Sequence, residues 1–404
     1  MSLFKDSLKG GATRYIALAI NFSLLVLVVR SLGAELRGEY VYLLGLSAVI
    51  AKFISFSVQS SIHNRRLSGD PLSSLLGFFV LLCLICAVVF AIAMLVNTYT
   101  HFASISFLVL LLLVTVITIA DAFTVQLYVY NGLINAYNRS LVITAIVTFI
   151  TTLLLLWWGM GLTGVFAGFI IGKLYFCCSF LYALSSENID LSKPDCRPST
   201  IIELLRNSLS LHVGMAGQVV IAQTSVIMLG ASLNMAGASY YQLSLQLISL
   251  VYIFSQSVSF VFLSKNSSGK LAENWREQKG VIGLLLPLCI LICTVLFFAA
   301  KLIPYVFGEE FEEAVAIFRV MLLVVPIVVF KNLIQNQILS RGYFKVFSFF
   351  TLLVAAISVL ANYLLIPSLG VAGASYAYVI ANSFYVVMLV YLVLRLNREV
   401  VDEV

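Results

Sequence analysis

The sequence predicts an all-α integral membrane protein with twelve transmembrane helices. We expect two six-helix lobes related by a pseudo-two-fold axis along the membrane normal. Of the 404 residues, 61% are hydrophobic and 10% are charged, and the mean hydropathy is +1.06, which excludes a soluble globular class. Long apolar runs recur, each reaching the roughly 18–20 residues that a helix needs to cross about 30 Å of hydrocarbon. The runs are continuous rather than alternating, which excludes a β-barrel.

An internal repeat predicts the two lobes. Residues 32–40 (LGAELRGEY) and 229–240 (LGASLNMAGASY) each join two apolar runs, with Leu-Gly ending one run and a tyrosine opening the next. Residues 161–170 (GLTGVFAGFI) similarly match residues 370–379 (GVAGASYAYV). Because the matching segments follow in the same order, one unit of about half the chain is present twice in the same direction. Such parallel repeats are familiar in secondary transporters.

The apolar runs define the spans in order. Their approximate limits are 12–31, 39–62, 75–96, 103–130, 141–158, 163–184, 205–229, 239–263, 281–302, 313–338, 346–365 and 371–394. We expect an N-terminal lobe over residues 1–184, a cytoplasmic linker over 185–204 and a C-terminal lobe over 205–404. The linker contains Pro194 and Pro198, which suit an irregular connection. The first run lacks a small-residue cleavage site, so we interpret it as a retained helix.

Lysine and arginine near the span ends predict the orientation. One side holds Lys5, Lys9, Arg14, Arg65, Arg66, Arg139, Lys193, Arg197, Arg206, Lys265, Lys270, Arg276, Lys279, Arg341, Lys345, Arg395 and Arg398. The other side holds only Arg30, Arg37, Lys301 and Arg319. This excess predicts that both termini and the linker are cytoplasmic, which agrees with an even number of spans. On the opposite side, Arg37 is expected in a local charge network or a solvated turn, and Glu310 in an acidic first turn that favours the helix dipole.

Polar residues inside the spans are the candidate site. Lys52 and Lys331 lie near the bilayer centre, where a charge costs a few kcal/mol unless it faces protein or water. Polar neighbours recur on the same helical faces. They predict a water-filled cavity between the halves, whose polar lining is assigned to Asn21, Gln59, His212, Gln246, Gln256 and Gln335. The alternative is interhelical hydrogen bonding that holds the bundle together, which we favour for the serines and threonines.

Asp121 is the one carboxylate deep inside a predicted span, so it is the candidate for coupling Na⁺ or H⁺. Asp121 and Lys331 stand at equal distances before the paired glycines Gly132 and Gly342. We therefore hypothesise equivalent positions in the two lobes and a state-dependent pair, with a static buried salt bridge as the alternative. Lys173 lies deep in span six without polar neighbours and is a weaker candidate.

Recognisable enzyme motifs are missing from the sequence. Residues 264–271 contain Gly-Lys but lack the first glycine and the hydroxyl residue of a Walker A motif. No HExxH motif or zinc-ligand cluster occurs, and the external loops are too short for a catalytic domain. These features predict a protein that is not an enzyme, with no cofactor, no resident metal and no nucleic-acid partner.

Three segments in order carry a family resemblance: residues 32–40, residues 304–314 (PYVFGEEFEEA), and residues 341–343 with 366–374 (RGY, IPSLGVAGA). Together they resemble the polysaccharide exporters of the multidrug/oligosaccharidyl-lipid/polysaccharide (MOP) superfamily, specifically Wzx-type O-antigen flippases of lipopolysaccharide biosynthesis. The resemblance implies a MOP/MATE-like fold. It also implies movement of an undecaprenyl-pyrophosphate-linked O-antigen repeat unit from the cytoplasmic to the periplasmic leaflet, by alternating access driven by an ion gradient or the membrane potential.

The resemblance also implies residue roles and partners. By type and depth, Arg14, Lys52 and Lys331 would bind the pyrophosphate. The partners would be the lipid-linked oligosaccharide, membrane lipids, and the polymerase and chain-length regulator of the same pathway, for a monomer in the bacterial inner membrane. The chain lacks the two extra C-terminal helices of lipid II flippases, which favours the O-unit branch. The alternatives are a MATE-like cation-coupled exporter of small molecules and, from a different class, a membrane-embedded polysaccharide polymerase or ligase.

Overall fold

The computed structural model describes residues 2–58, 71–100, 104–187, 197–232, 235–266, 271–340 and 343–402. All regular structure in these ranges is helical. The chain forms two compact units. Unit 1 comprises Met1–Leu32 and Leu43–His212, and unit 2 comprises Gly33–Tyr42 and Val213–Val404. The ten-residue segment Gly33–Tyr42 thus belongs with unit 2, although the expected N-terminal lobe contained it.

The helices of unit 1 are long and apolar. They are α1 (Ser2–Ile54, apart from its Gly33–Tyr42 segment), α2 (Pro71–Thr100), α3 (Ile105–Tyr130), α4 (Ile134–Trp157), α5 (Gly161–Ser186) and the start of α6 (Pro198–Ser232). Helix α6 begins at Pro198, where proline fits a first turn because its missing N–H would have no partner there. Residues 198–204 of the expected linker are therefore helical, and residues 188–196 lie outside the described ranges.

Unit 2 holds the remainder of α6 and six further α-helices. They are α7 (Met235–Asn266), α8 (Leu271–Ala299), the short α9 (Ile303–Phe307), α10 (Glu312–Leu322), α11 (Val324–Ser340) and α12 (Phe344–Asp402). Two single 3₁₀ turns, Ala300–Leu302 and Glu309–Phe311, flank α9. Helices α10 and α11 meet at 45°, so the tenth predicted span is bent rather than straight.

Two helices are too long to be single spans. The apolar part of α1 runs over 40 residues and that of α12 over 50, whereas about 20 cross the hydrocarbon. Each is interrupted by a glycine whose backbone angles are not helical: Gly33 (φ 71°, ψ −176°) and Gly370 (φ 60°, ψ −135°). Glycine adopts such positive φ values at little cost because it has no Cβ. Gly33 lies between the first and second predicted spans, and Gly370 lies between the eleventh and twelfth.

By length and composition, eight described helices can cross a membrane, or nine if the bent pair of α10 and α11 forms one span. With α1 and α12 divided at their glycines and α7 added, every one of the twelve predicted spans overlaps a described helix. The prediction of an all-α integral membrane fold is confirmed.

Small residues allow close packing within unit 1. Gly168 and Gly172 of α5 face Thr152 and Thr148 of α4, and a Cβ at either glycine would overlap the threonine side chain. Membrane helices associate through such small residues because lipid provides no hydrophobic drive to bring them together. The pairing of α4 with α5 therefore depends on glycine at both positions.

Candidate functional site

An ion pair lies within the helices of unit 1. Lys173 Nζ on α5 donates to Asp121 Oδ2 on α3 over 2.8 Å, and the side chains are 30% and 23% exposed. The pair is a salt bridge between α3 and α5. In this structure the partner of Asp121 is therefore Lys173, not Lys331 as the repeat suggested. Periodicity gave Lys173 little weight because its partner lies on another helix.

The hydroxyl groups on the helices of this ion pair form hydrogen bonds within unit 1. Thr124 Oγ1 donates to Ala120 O on its own helix (2.8 Å) and lies 3.5 Å from Cys177 Sγ on α5. Tyr128, fully buried, shares hydrogen bonds with Ser140 Oγ of α4 (2.9 Å) and Ser179 Oγ of α5 (3.0 Å). These contacts join α3, α4 and α5 in one bundle, as interhelical hydrogen bonds do in membranes.

The second predicted span is broken earlier than expected. Helix α1 ends at Ile54, and residues 55–57 form a turn in which Phe56 and Ser57 have φ values of 47° and 51°. Consecutive non-glycine residues rarely adopt this left-handed conformation. Val58 N donates to Ser55 O across the turn (3.1 Å). The sequence offers no signal for the break, because neither glycine nor proline stands there.

His212 on α6 packs against this turn. Its Nδ1 and Ser57 Oγ form a hydrogen bond of 3.1 Å, and its ring lies 5.1 Å from that of Phe56 and 6.2 Å from that of Phe53. His212 is 7% exposed, so in this structure the predicted cavity residue is part of the packing of unit 1. Lys52, one turn before the break, is half-buried and acts electrostatically on His212.

Lys331 on α11 has polar but uncharged partners in unit 2. Its Nζ donates to Asn382 Oδ1 over 3.2 Å and lies 5.5 Å from the centre of the Tyr385 ring. Asn382 Nδ2 donates in turn to Tyr378 O (2.9 Å), and Tyr385 OH shares a 2.8 Å hydrogen bond with Thr351 Oγ1. The amide and the ring face orient the ammonium without neutralising its charge.

Arg37 is the buried cation that the sequence interpretation missed. Its Nη1 donates to Ser239 O (2.6 Å) and Ser239 Oγ (2.9 Å), and its Nη2 donates to Gln246 Oε1 (2.8 Å). The guanidinium lies 6.0 Å from the centre of the Phe311 ring, and Arg37 is 1% exposed. All four residues belong to unit 2. The expected solvated turn is wrong, and Gln246 is engaged by Arg37.

The segment that carries Arg37 is held at two further points. Glu310 Oε2 accepts a hydrogen bond of 3.0 Å from Ala34 N, so it caps the helix that begins after Gly33 rather than its own. Gly38 lies so close to Met235 O that a Cβ would overlap it. Glu310 and Gly38 thus fix the segment in unit 2.

The remaining predicted site residues divide into two groups. Asn21 is exposed and Gln335 is half-buried. The side chains of Arg14, Gln59 and Gln256 lie outside the described part of the protein. Within that described part, no three His, Cys, Asp or Glu side chains are grouped to hold a metal ion.

The fold is that of transporters of the MOP superfamily. A structure titled "Lipid II flippase MurJ, inward closed conformation" matches with a TM-score of 0.74 over 96% of this chain and 87% of the other, at 16% identity. An inward-facing multidrug resistance MATE family transporter of the MOP superfamily matches with a TM-score of 0.66 over 95% of this chain and 98% of the other, at 14% identity. A eukaryotic MATE transporter matches with a TM-score of 0.62 over 95% and 94%, at 12% identity.

No family model matches the sequence, and no curated protein matches it significantly. The likeness is one of fold, and it extends over nearly the whole chain.

Proposed function

We propose that the protein is a flippase for a lipid-linked oligosaccharide. Its substrate would be an undecaprenyl-pyrophosphate-linked O-antigen repeat unit, moved from the cytoplasmic to the periplasmic leaflet of the bacterial inner membrane by alternating access. The observation that carries the proposal is the combination of a fold similar to that of a lipid II flippase and two intramembrane lysines, Lys52 and Lys331, without a carboxylate partner among the described residues.

The chemistry of the head group supports this substrate class. A pyrophosphate is anionic, and lysine binds phosphate as a point charge. Lys331 Nζ is oriented by an amide oxygen and an aromatic face, and no carboxylate among the described residues forms a salt bridge with it. Lys52 is half-buried and is not part of an ion pair in the described part of the chain. A cation at this depth in the membrane costs free energy unless it contacts water or a polar group, and an anionic substrate would supply such a group.

The energy source would be an ion gradient or the membrane potential, because the sequence lacks an ATP-binding motif. Asp121 remains the candidate coupling residue, since it is the carboxylate at membrane depth and its side chain is partly accessible. We further propose that the protein acts without enzymatic activity of its own and delivers its product to the polymerase of the same pathway.

The test is translocation in proteoliposomes. Undecaprenyl-pyrophosphate-linked oligosaccharide is placed in vesicles with purified protein, and its appearance in the outer leaflet is measured with an external glycosidase, with and without an imposed potential. Lys52→Ala and Lys331→Ala should each reduce the initial rate by about tenfold or more, the effect of roughly 1.4 kcal/mol in head-group binding. Lys345→Ala, which removes an exposed cation at the start of α12, is the matched control.

Two results would replace this proposal. Export of small cationic compounds without translocation of the lipid-linked oligosaccharide would establish the MATE-like alternative. Lengthening or transfer of the oligosaccharide by the purified protein would identify a polymerase or ligase.

A further inference from the structure

The Asp121 carboxylate occupies the kind of position at which a transporter binds a coupling cation. It lies deep in a membrane-spanning helix, and its side chain is 23% exposed. A carboxylate at this depth requires a compensating positive charge. Here that charge comes from the chain itself, because Lys173 Nζ is 2.8 Å from Asp121 Oδ2.

Further oxygen atoms lie on the helix that carries Asp121. Hard cations are bound by several oxygen atoms at once, and a single carboxylate is a weak site for them. The hydroxyl groups of Thr118 and Thr124, three residues on either side of Asp121, donate to the backbone oxygens of Val114 and Ala120, which leaves the lone pairs of both hydroxyl oxygens available to a cation. Lys173 Nζ also lies 5.9 Å from the centre of the Phe169 ring.

We propose that Lys173 is the resident cation of the Asp121 site, and that it takes the place an exchangeable Na⁺ would otherwise fill. This inference rests on the proposed transport function and narrows its energy source to the membrane potential or protons. It also assigns a new site: without the ammonium, the Asp121 carboxylate becomes a binding site for a monovalent cation. Lys173 is a positioning residue, because it acts through Asp121.

The first test measures Na⁺ binding through stability and needs no substrate. Thermal unfolding of purified wild type and Lys173→Met is compared in NaCl and in choline chloride at equal ionic strength. The wild type should show the same melting temperature in both salts. Lys173→Met should unfold at a lower temperature in choline and recover in Na⁺, because a ligand that binds only the folded state stabilises it.

Two variants keep the test interpretable. Asp121→Asn/Lys173→Met is neutral at the site and should fold without any response to Na⁺. Lys173→Arg retains a tethered cation and should behave as the wild type. A stabilisation of the wild type by Na⁺, or a Lys173→Met protein that is equally unstable in both salts, would overturn the inference.

The second test uses transport. Wild-type translocation should be unchanged when choline replaces Na⁺, whereas Lys173→Met should lose most of its activity in choline and regain part of it in Na⁺. If no lipid-linked oligosaccharide is translocated by any variant, the proposed substrate fails, but the stability comparison still decides the role of Lys173.

Discussion

Replacing Arg37 by alanine should be among the most destabilising single changes in unit 2. The side chain is 1% exposed, and its guanidinium donates three hydrogen bonds, two to Ser239 and one to Gln246. A hydrogen bond from a charged donor is worth about 1.5–3 kcal/mol, and bonds that share one group do not add fully. We therefore expect Arg37→Ala to lower the free energy of unfolding by about 3–5 kcal/mol, because the acceptors on Ser239 and Gln246 lose their donor and the alanine leaves a cavity.

The assay is thermal unfolding of the purified protein in detergent. A loss of this size corresponds to a fall of about 6–20 °C in melting temperature, at roughly 2–4 °C per kcal/mol for a unit of this size. Arg37→Met should cost less than half as much, because methionine fills much of the volume that alanine would leave empty. Arg139→Ala, at an exposed arginine, is the control and should stay within about 0.5 kcal/mol. An Arg37→Ala protein that melts with the wild type would refute the reasoning.

Two further predictions concern close contacts. Gly172→Ala should destabilise the protein by about 1–3 kcal/mol in the same unfolding assay, because its Cβ overlaps Thr148, and adding Thr148→Ala should restore part of the loss. Gly283→Ala meets open space and should be neutral or stabilising; a cost equal to that of Gly172→Ala would contradict the packing argument. Glu310→Gln should cost about 0.5–1 kcal/mol, since it weakens the cap on Ala34 N, and no change in melting temperature would show that the cap contributes nothing.

The spans could be predicted because lipid leaves few alternatives. An apolar run of about 20 residues must satisfy its backbone internally, so it is helical wherever it lies in the bundle. The ends of the first and eleventh spans could also be predicted, since Gly33 and Gly370 lie in repeated segments, where they match Gly230 and Gly161. The break at residues 55–57 could not be predicted, because neither glycine nor proline stands there and the residue that contacts it, His212, is distant in sequence.

The ion-pair partner of Asp121 could not be predicted from the sequence for a related reason. Depth along a span can be counted from the sequence, and Lys173 and Lys331 both lie inside spans. Which helix faces which depends on packing, and periodicity within one helix contains no such information. Helices α3 and α5 also meet at Thr124 with Cys177 and at Tyr128 with Ser179, and Lys173 lies beside Asp121 on the same pair of helices. The charge pairing therefore follows from which helices pack together.

The burial of Arg37, in the segment Gly33–Tyr42, also depends on close packing. Charges near a span end usually face water, so the expectation of a solvated turn followed the general rule. Arg37 is buried instead. Because Gly38 has no Cβ, its backbone can lie against Met235 O, and this places Arg37 within hydrogen-bonding distance of Ser239 and Gln246. If this reasoning is correct, Gly38→Ala should mimic Arg37→Ala: it should release the guanidinium and lower the melting temperature, although the arginine itself is retained. The double variant should then be little worse than either single change, because both remove the same contacts. Fully additive losses would mean that the close approach and the arginine contacts are independent.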